Sequence, residues 1–165
     1  MGYVHYYANN SIAPVVINGT GVGEYSATHI EAENFMRLEG GARKAHQPHR
    51  ADAIVVEVHS PSTASLHYPR VHLVGGGGRG GAAPSLWLSA AASASEGGSA
   101  TVTARRSAAS GPALATCTLA HTGGAFTTVH CPLALEPSEP SESIDVVLTF
   151  DGSPLQLDSW GIAGL

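Results

Sequence analysis

Every apolar run in this chain is short and alternating. HIEAENF, AIVVEVH, SLHYPRVHL, SLWLSA, SATVTAR, ALATCTLA, FTTVHCPLAL, IDVVLTF and LQLDSWGI are six to ten residues long, and Gly, Pro, Ser and Thr interrupt the chain between them. A two-residue period sends successive side chains to opposite faces of a strand, and no long stretch repeats apolar residues at the three-and-four spacing of a helix. Nine such runs in 165 residues predict an all-β sandwich. That length suits one domain with one core. LSAAASASEGG is rich in alanine, but its serines and flanking glycines read as a strand running into a turn. Residues 1–22, with Tyr3, Tyr6, Tyr7 and the apolar PVVI, stand apart as an extension or linker remnant, and residues 23–165 carry the sandwich. EPSEPSES at 136–143 is a polar, Pro-rich loop.

Charge excludes several partners. Only 13% of residues are charged, the formal net charge is −5, and the seven arginines are scattered beside a single lysine, Lys44. No basic field exists to draw in nucleic acid or an anionic membrane. No apolar run approaches the roughly 18 residues that span a bilayer. The start lacks the basic-then-apolar pattern of a signal peptide and reads as a piece of a longer chain.

Three places invite a chemical reading. VGGGGRGGA at 74–82 follows a strand-like run, but no GK[ST] closes it and no helix follows, so a phosphate-cradling loop is disfavoured. In HIEAENF, Glu31 and Glu33 stand two apart. On a strand both would leave one face, where a solvated pair costs little and a covered pair needs a shared proton or a cation. Asp158, in the last run, becomes a third carboxylate if the final strand lies beside the first. Three carboxylates with main-chain carbonyls make an all-oxygen shell suited to Ca²⁺. Cys117 and Cys131, the only cysteines, flank TLAHTGGAFTTVH. They can pair across a hairpin, which implies an oxidising compartment, or remain two buried thiols.

HIEAENF, TCTLAHTGGAFTTVHCPL and IDVVLTFDGSPLQLDSWGI resemble, in order and spacing, the family 6 carbohydrate-binding modules, a jelly-roll family close to family 35. The resemblance covers roughly residues 25–163. It implies a structural Ca²⁺ held by Glu31, Glu33 and Asp158, with a loop carbonyl somewhere after Gly41. It also implies that the glycine run is a turn between strands. A sugar site of this family joins aromatic platforms to an amide, because a sugar ring has an apolar face and a rim of hydroxyls. Here the chain departs from the pattern. The first aromatic position falls at Leu66, His67 or Tyr68, Ala125 and Phe126 follow TGG, and Gln156 replaces an asparagine. His67, Tyr68, Phe126 and Gln156 are therefore the candidate sugar-binding residues, with core packing the competing role for Tyr68 and Phe126. Trp87, pointing out beside Ser85 and Ser89, is a candidate for a second site on a sheet face or for contact with a neighbouring domain. Trp160 reads as core.

Catalysis is not expected. No GxSxG or other nucleophile signature is present, and HQPH does not match a helical metalloprotease motif. The expectation is a secreted, monomeric, non-catalytic module stabilised by Ca²⁺ and a disulfide. It would target an attached glycoside hydrolase, such as a family 43 enzyme, to a polysaccharide of xylan, arabinan or galactan type. The alternative is a structural module whose degenerate sugar site packs on its catalytic domain.

Overall fold

The computed structural model describes residues 16–17, 23–47, 50–73, 83–92, 98–134 and 143–164. Eleven strands run through them: β1 (Val16–Ile17), β2 (Gly23–Ser26), β3 (Ile30–Glu31), β4 (Arg37–Gln47), β5 (Arg50–His72), β6 (Ser85–Ala92), β7 (Ser99–Arg106), β8 (Ala113–Ala120), β9 (Thr127–Pro132), β10 (Ser143–Gly152) and β11 (Leu155–Ala163). One 3-10 turn, Ala32–Asn34, follows β3. The glycine run, residues 136–142 of the Pro-rich loop and most of the N-terminal extension lie outside the described residues.

The hydrogen-bonded order is β8-β7-β10-β5-β11-β6-β9. β5 belongs to both halves: Ser65–His72 pairs with β10, whereas Val56–Val58 pairs with β11. Bending there folds the sheet into two layers. Each layer then buries one face against the other, as its two-residue pattern requires. Ile144, Val146, Leu148 and Phe150 of β10 point into the core, as do Leu86, Leu88 and Ala90 of β6 and Leu155, Leu157 and Trp160 of β11.

β4 follows β5 around the bend, and two glycines make that possible. Gly40 has φ +72°, and a Cβ placed on it would stand 1.7 Å from the Thr63 carbonyl oxygen. The register slips on both sides of Gly41, opposite Ser60. AIVVEVH and SLHYPRVHL, read as two strands, are thus one continuous strand. RLEGGARKAHQ, which shows no alternation, is the full-length strand β4.

The cysteines pair, but not across a hairpin. Cys117 and Cys131 form a disulfide between β8 and β9, which sit at opposite ends of the hydrogen-bonded order. The segment between them carries the chain from one layer to the other. Its Thr122 is bonded to Ala92 at the end of β6, and Gly123 and Gly124, at φ +63° and +83°, make the turn. The disulfide therefore closes the open side of the sandwich.

Candidate functional site

The acidic motif leaves the strand earlier than its spacing suggests. Ile30 and Glu31 pair with Trp160 and Ser159, which sets the first core strand beside the last. The chain then turns into the 3-10 segment, so Glu31 and Glu33 do not share a strand face. Two tyrosines hold the turn: Tyr68 Oη donates to the Ala32 carbonyl at 2.7 Å, and Tyr25 Oη donates to that of Asn34. These long-range bonds outcompete the local strand period.

Glu31 accepts from, or pairs with, His29 Nε2 at 2.9 Å. Asp158 is the extra residue of a bulge in β11 and accepts from the Ser159 hydroxyl at 3.1 Å. Glu33 differs, because its Oε2 is buried and has no hydrogen-bond partner. Burial raises the Glu33 pKa, and Glu31 and Asp158 push it the same way, while a hydrogen bond from its own backbone N–H and the charge of Lys44 oppose them. Burial in turn lowers the Lys44 pKa, with Glu33 resisting, and the ammonium sits 5.0 Å from the centroid of the Phe35 ring. The three carboxylates are thus near enough to feel one another. Among the described residues, however, no three acidic, histidine or cysteine side chains are gathered closely enough to hold a metal. The unpartnered Glu33 Oε2 would suit a cation, since a buried carboxylate oxygen without a partner of its own is costly unless a positive charge meets it.

The sugar candidates do not converge. Tyr68 is fully buried, edge-on to Trp160 at 4.9 Å and to Tyr25 at 5.9 Å. It is a core residue and offers no platform, because its partner Val146 in β10 also points inward. Phe126 and Gln156 come to the same end of one layer: Phe126 immediately precedes Thr127, which pairs with Ala90, and Gln156 pairs with Ala91. Gln156 Nε2 donates to Glu57 Oε1 at 3.1 Å. Trp87 lies four residues down β6, about 13 Å along the strand. It is half-buried, with its ring 5.3 Å from that of His29 and its indole against Gly161. His67 belongs to the outer face of the other layer, where Nε2 meets Ser65 Oγ at 3.1 Å and Glu39 Oε2 at 3.5 Å.

That second face was not singled out by sequence reasoning. TVT of β7 and TCT of β8 align so that Thr101 opposes Thr118 and Thr103 opposes Thr116, with Thr149 and Asp151 beside them on β10. A depression of about 280 Å³ is lined by Ser62, Thr101, Thr103, Arg105, Thr149 and Asp151. Arg105 bridges Thr149 Oγ1 at 3.2 Å and the Gly111 carbonyl at 3.1 Å. The repeated TxT was the available signal. Only the pairing of the strands turned two repeats into one patch.

Two layers closed around a single core, with β3 and β11 paired, make this chain an all-β sandwich with the fold of family 6 carbohydrate-binding modules. It resembles a Clostridium stercorarium module of that family solved with cellobiose, at TM-score 0.69 and 20% identity over 87% of this chain and 98% of the other. A β-1,3-glucan-binding family 6 module from Bacillus halodurans matches at TM-score 0.67 and 17% identity, over 86% and 99%. A family 43 arabinoxylan arabinofuranohydrolase from Bacillus subtilis, solved with cellotetraose, matches at TM-score 0.64 and 17% identity over 99% of this chain and 33% of the enzyme. No protein-family model and no curated protein matches the sequence.

Proposed function

We propose that this chain is a secreted, non-catalytic carbohydrate-binding module that holds an attached glycoside hydrolase, of family 43 type, on a plant or microbial polysaccharide of xylan, arabinan or galactan type. The observation that carries this reading is the hydroxyl-lined depression between β5, β7 and β10. Side chains of Ser62, Thr101, Thr103, Thr149 and Asp151 meet there on one open face of a sandwich whose structural relatives hold oligosaccharides. Such a face binds weakly per site. Tethering to an insoluble polymer raises the effective concentration of the attached enzyme. Glu31, Glu33 and Asp158 are the residues that would hold a structural Ca²⁺, whose charge would compensate the unpartnered Glu33 Oε2.

The second reading is a structural module that packs on its catalytic domain. Trp87 favours it: the ring is held between His29 and Gly161 instead of standing out as a platform, and Tyr68 is buried. Affinity electrophoresis and calorimetry against xylan, arabinan, galactan, cellulose and β-1,3-glucan separate the two. Retardation that is lost in Thr149→Ala/Asp151→Ala supports the binding module. A flat panel for the folded chain supports docking and refutes the first reading.

A further inference from the structure

Lys44 is the only lysine of the chain, and it stands where β4 buries its side chains. Arg43, the residue before it, lies on the outer face and bonds its cross-strand partner Glu57, Nε to Oε2 at 2.8 Å. Successive residues of a strand leave by opposite faces, so Lys44 leaves by the inner one. Ala42, two residues earlier, is buried on that face, and Val56, the partner of Lys44 in β5, is fully buried in the core.

A lysine that enters a sandwich by its inner face can lay its stem on apolar surface, but its head needs an anion or water. The Lys44 ammonium lies over the Phe35 ring, 5.0 Å from its centroid. Phe35 packs against the core and directly follows the 3-10 turn Ala32–Asn34, which carries Glu33. The ring thus sets the ammonium beside the acidic turn. Lys44 and Glu33 attract each other, whereas Glu31 and Asp158 repel Glu33. The other charged groups on the neighbouring elements are engaged elsewhere: His29 Nε2 meets Glu31 Oε1 at 2.9 Å, and Arg43 and Glu57 hold each other on the outer face. Among the described residues, Lys44 is the cation that acts on Glu33.

An ammonium in this place has two effects. It supplies from within the chain a positive charge that the buried Glu33 oxygen otherwise lacks. It also cancels one negative charge of the three carboxylates and repels any divalent ion that approaches them. Oxygen shells hold Ca²⁺ more tightly as their negative charge rises, so the lysine lowers the affinity of the set.

We propose that Lys44 is a built-in counter-ion of the acidic turn: its ammonium steadies the turn without metal and opposes Ca²⁺ at Glu31, Glu33 and Asp158. The module then folds without the ion and binds it weakly. This rests on the calcium reading of those three carboxylates and adds the residue that sets the ion's affinity.

The test compares the whole chain with Lys44→Met, which keeps the apolar stem and removes the charge, and with Lys44→Arg, which keeps the charge. Calcium calorimetry and melting curves in chelator are the two readouts. Lys44→Met is expected to bind Ca²⁺ about tenfold more tightly than wild type, to melt lower in chelator and to recover when Ca²⁺ is added. Lys44→Arg is expected to match wild type in both. Because the chain has a single lysine, reductive methylation with isotope-labelled formaldehyde marks the Lys44 amine without a substitution and without loss of charge. Ca²⁺ is expected to shift that resonance. Equal calcium affinity in wild type and Lys44→Met, with an unmoved amine resonance, overturns the opposition. An unchanged melting temperature of Lys44→Met in chelator overturns the counter-ion role. If none of these proteins binds Ca²⁺, while Lys44→Met still melts lower and Lys44→Arg does not, the calcium reading and the opposition both fall and the counter-ion role is supported.

Discussion

Replacing Cys117 and Cys131 together by alanine removes the covalent tie that closes the sandwich between β8 and β9, strands that no hydrogen-bonded ladder joins. The two cysteines are 14 residues apart in sequence, and restraining a loop of that size in the unfolded chain stabilises the native state by about 3 kcal/mol in the chain-entropy account. Both side chains are buried, but exchanging a sulfur for a hydrogen at each removes little apolar area, so the cross-link dominates the effect. For a chain of this size about 3 kcal/mol corresponds to a fall in Tm of about 6–12 °C. Calorimetric melts of wild type and the double variant at one pH, without reductant, measure it directly. Urea titration adds a signature: the uncrosslinked unfolded chain exposes more surface, so m should rise while the native circular dichroism stays the same. A double variant that melts within about 2 °C of wild type with unchanged m refutes the argument that the cross-link acts through loop closure.

Burial holds the Glu33 carboxyl above its usual 4.5, so in chelated buffer the native state binds this proton more tightly than the unfolded chain does. Stability should therefore fall as pH rises from the unfolded value through the folded one and level off above it. Calcium would take the proton's place, so the increment in Tm that it gives should grow across the same window and disappear in Glu33→Gln; an increment independent of pH removes Glu33 from the ion's ligands. In Gly161→Ala the new methyl would stand 2.5 Å from the Thr28 carbonyl and 2.7 Å from the Trp87 indole nitrogen. A loss of about 1–3 kcal/mol is expected, with a shift in Trp87 fluorescence, and a neutral result would show that β6 and β11 separate freely there. Tyr68→Phe leaves the Ala32 carbonyl without its buried donor and should cost about 1–3 kcal/mol while leaving glycan affinity unchanged. A loss of affinity at unchanged stability would return Tyr68 to the binding site.

Legibility followed the locality of the cause. In SIDVVLTF and SLWLSAAA the alternation chose which residues face the core, and Val146, Leu148, Leu86 and Leu88 are where it put them. The same rule failed at Glu33, because hydroxyls from residues 25 and 68 draw the carbonyls of a three-residue segment into a turn. It also failed at β4, where two glycines accommodate a bend and erase the pattern. Count left Cys117 one possible partner, but neither the pairing itself nor the path between layers was visible, since a hairpin and a crossover leave the same spacing.

Composition and period by themselves determined that this chain is a one-core β-sandwich with little charge, because side-chain direction along a strand is a local property. Tertiary structure alone decided which polar residues meet. Met36, His67, Ser107 and Asp145 are far apart in the chain and reach one depression only through the register of β4, β5, β7 and β10. A strand's sequence sets its faces; which neighbours stand beside those faces is fixed by the pairing of the whole sheet.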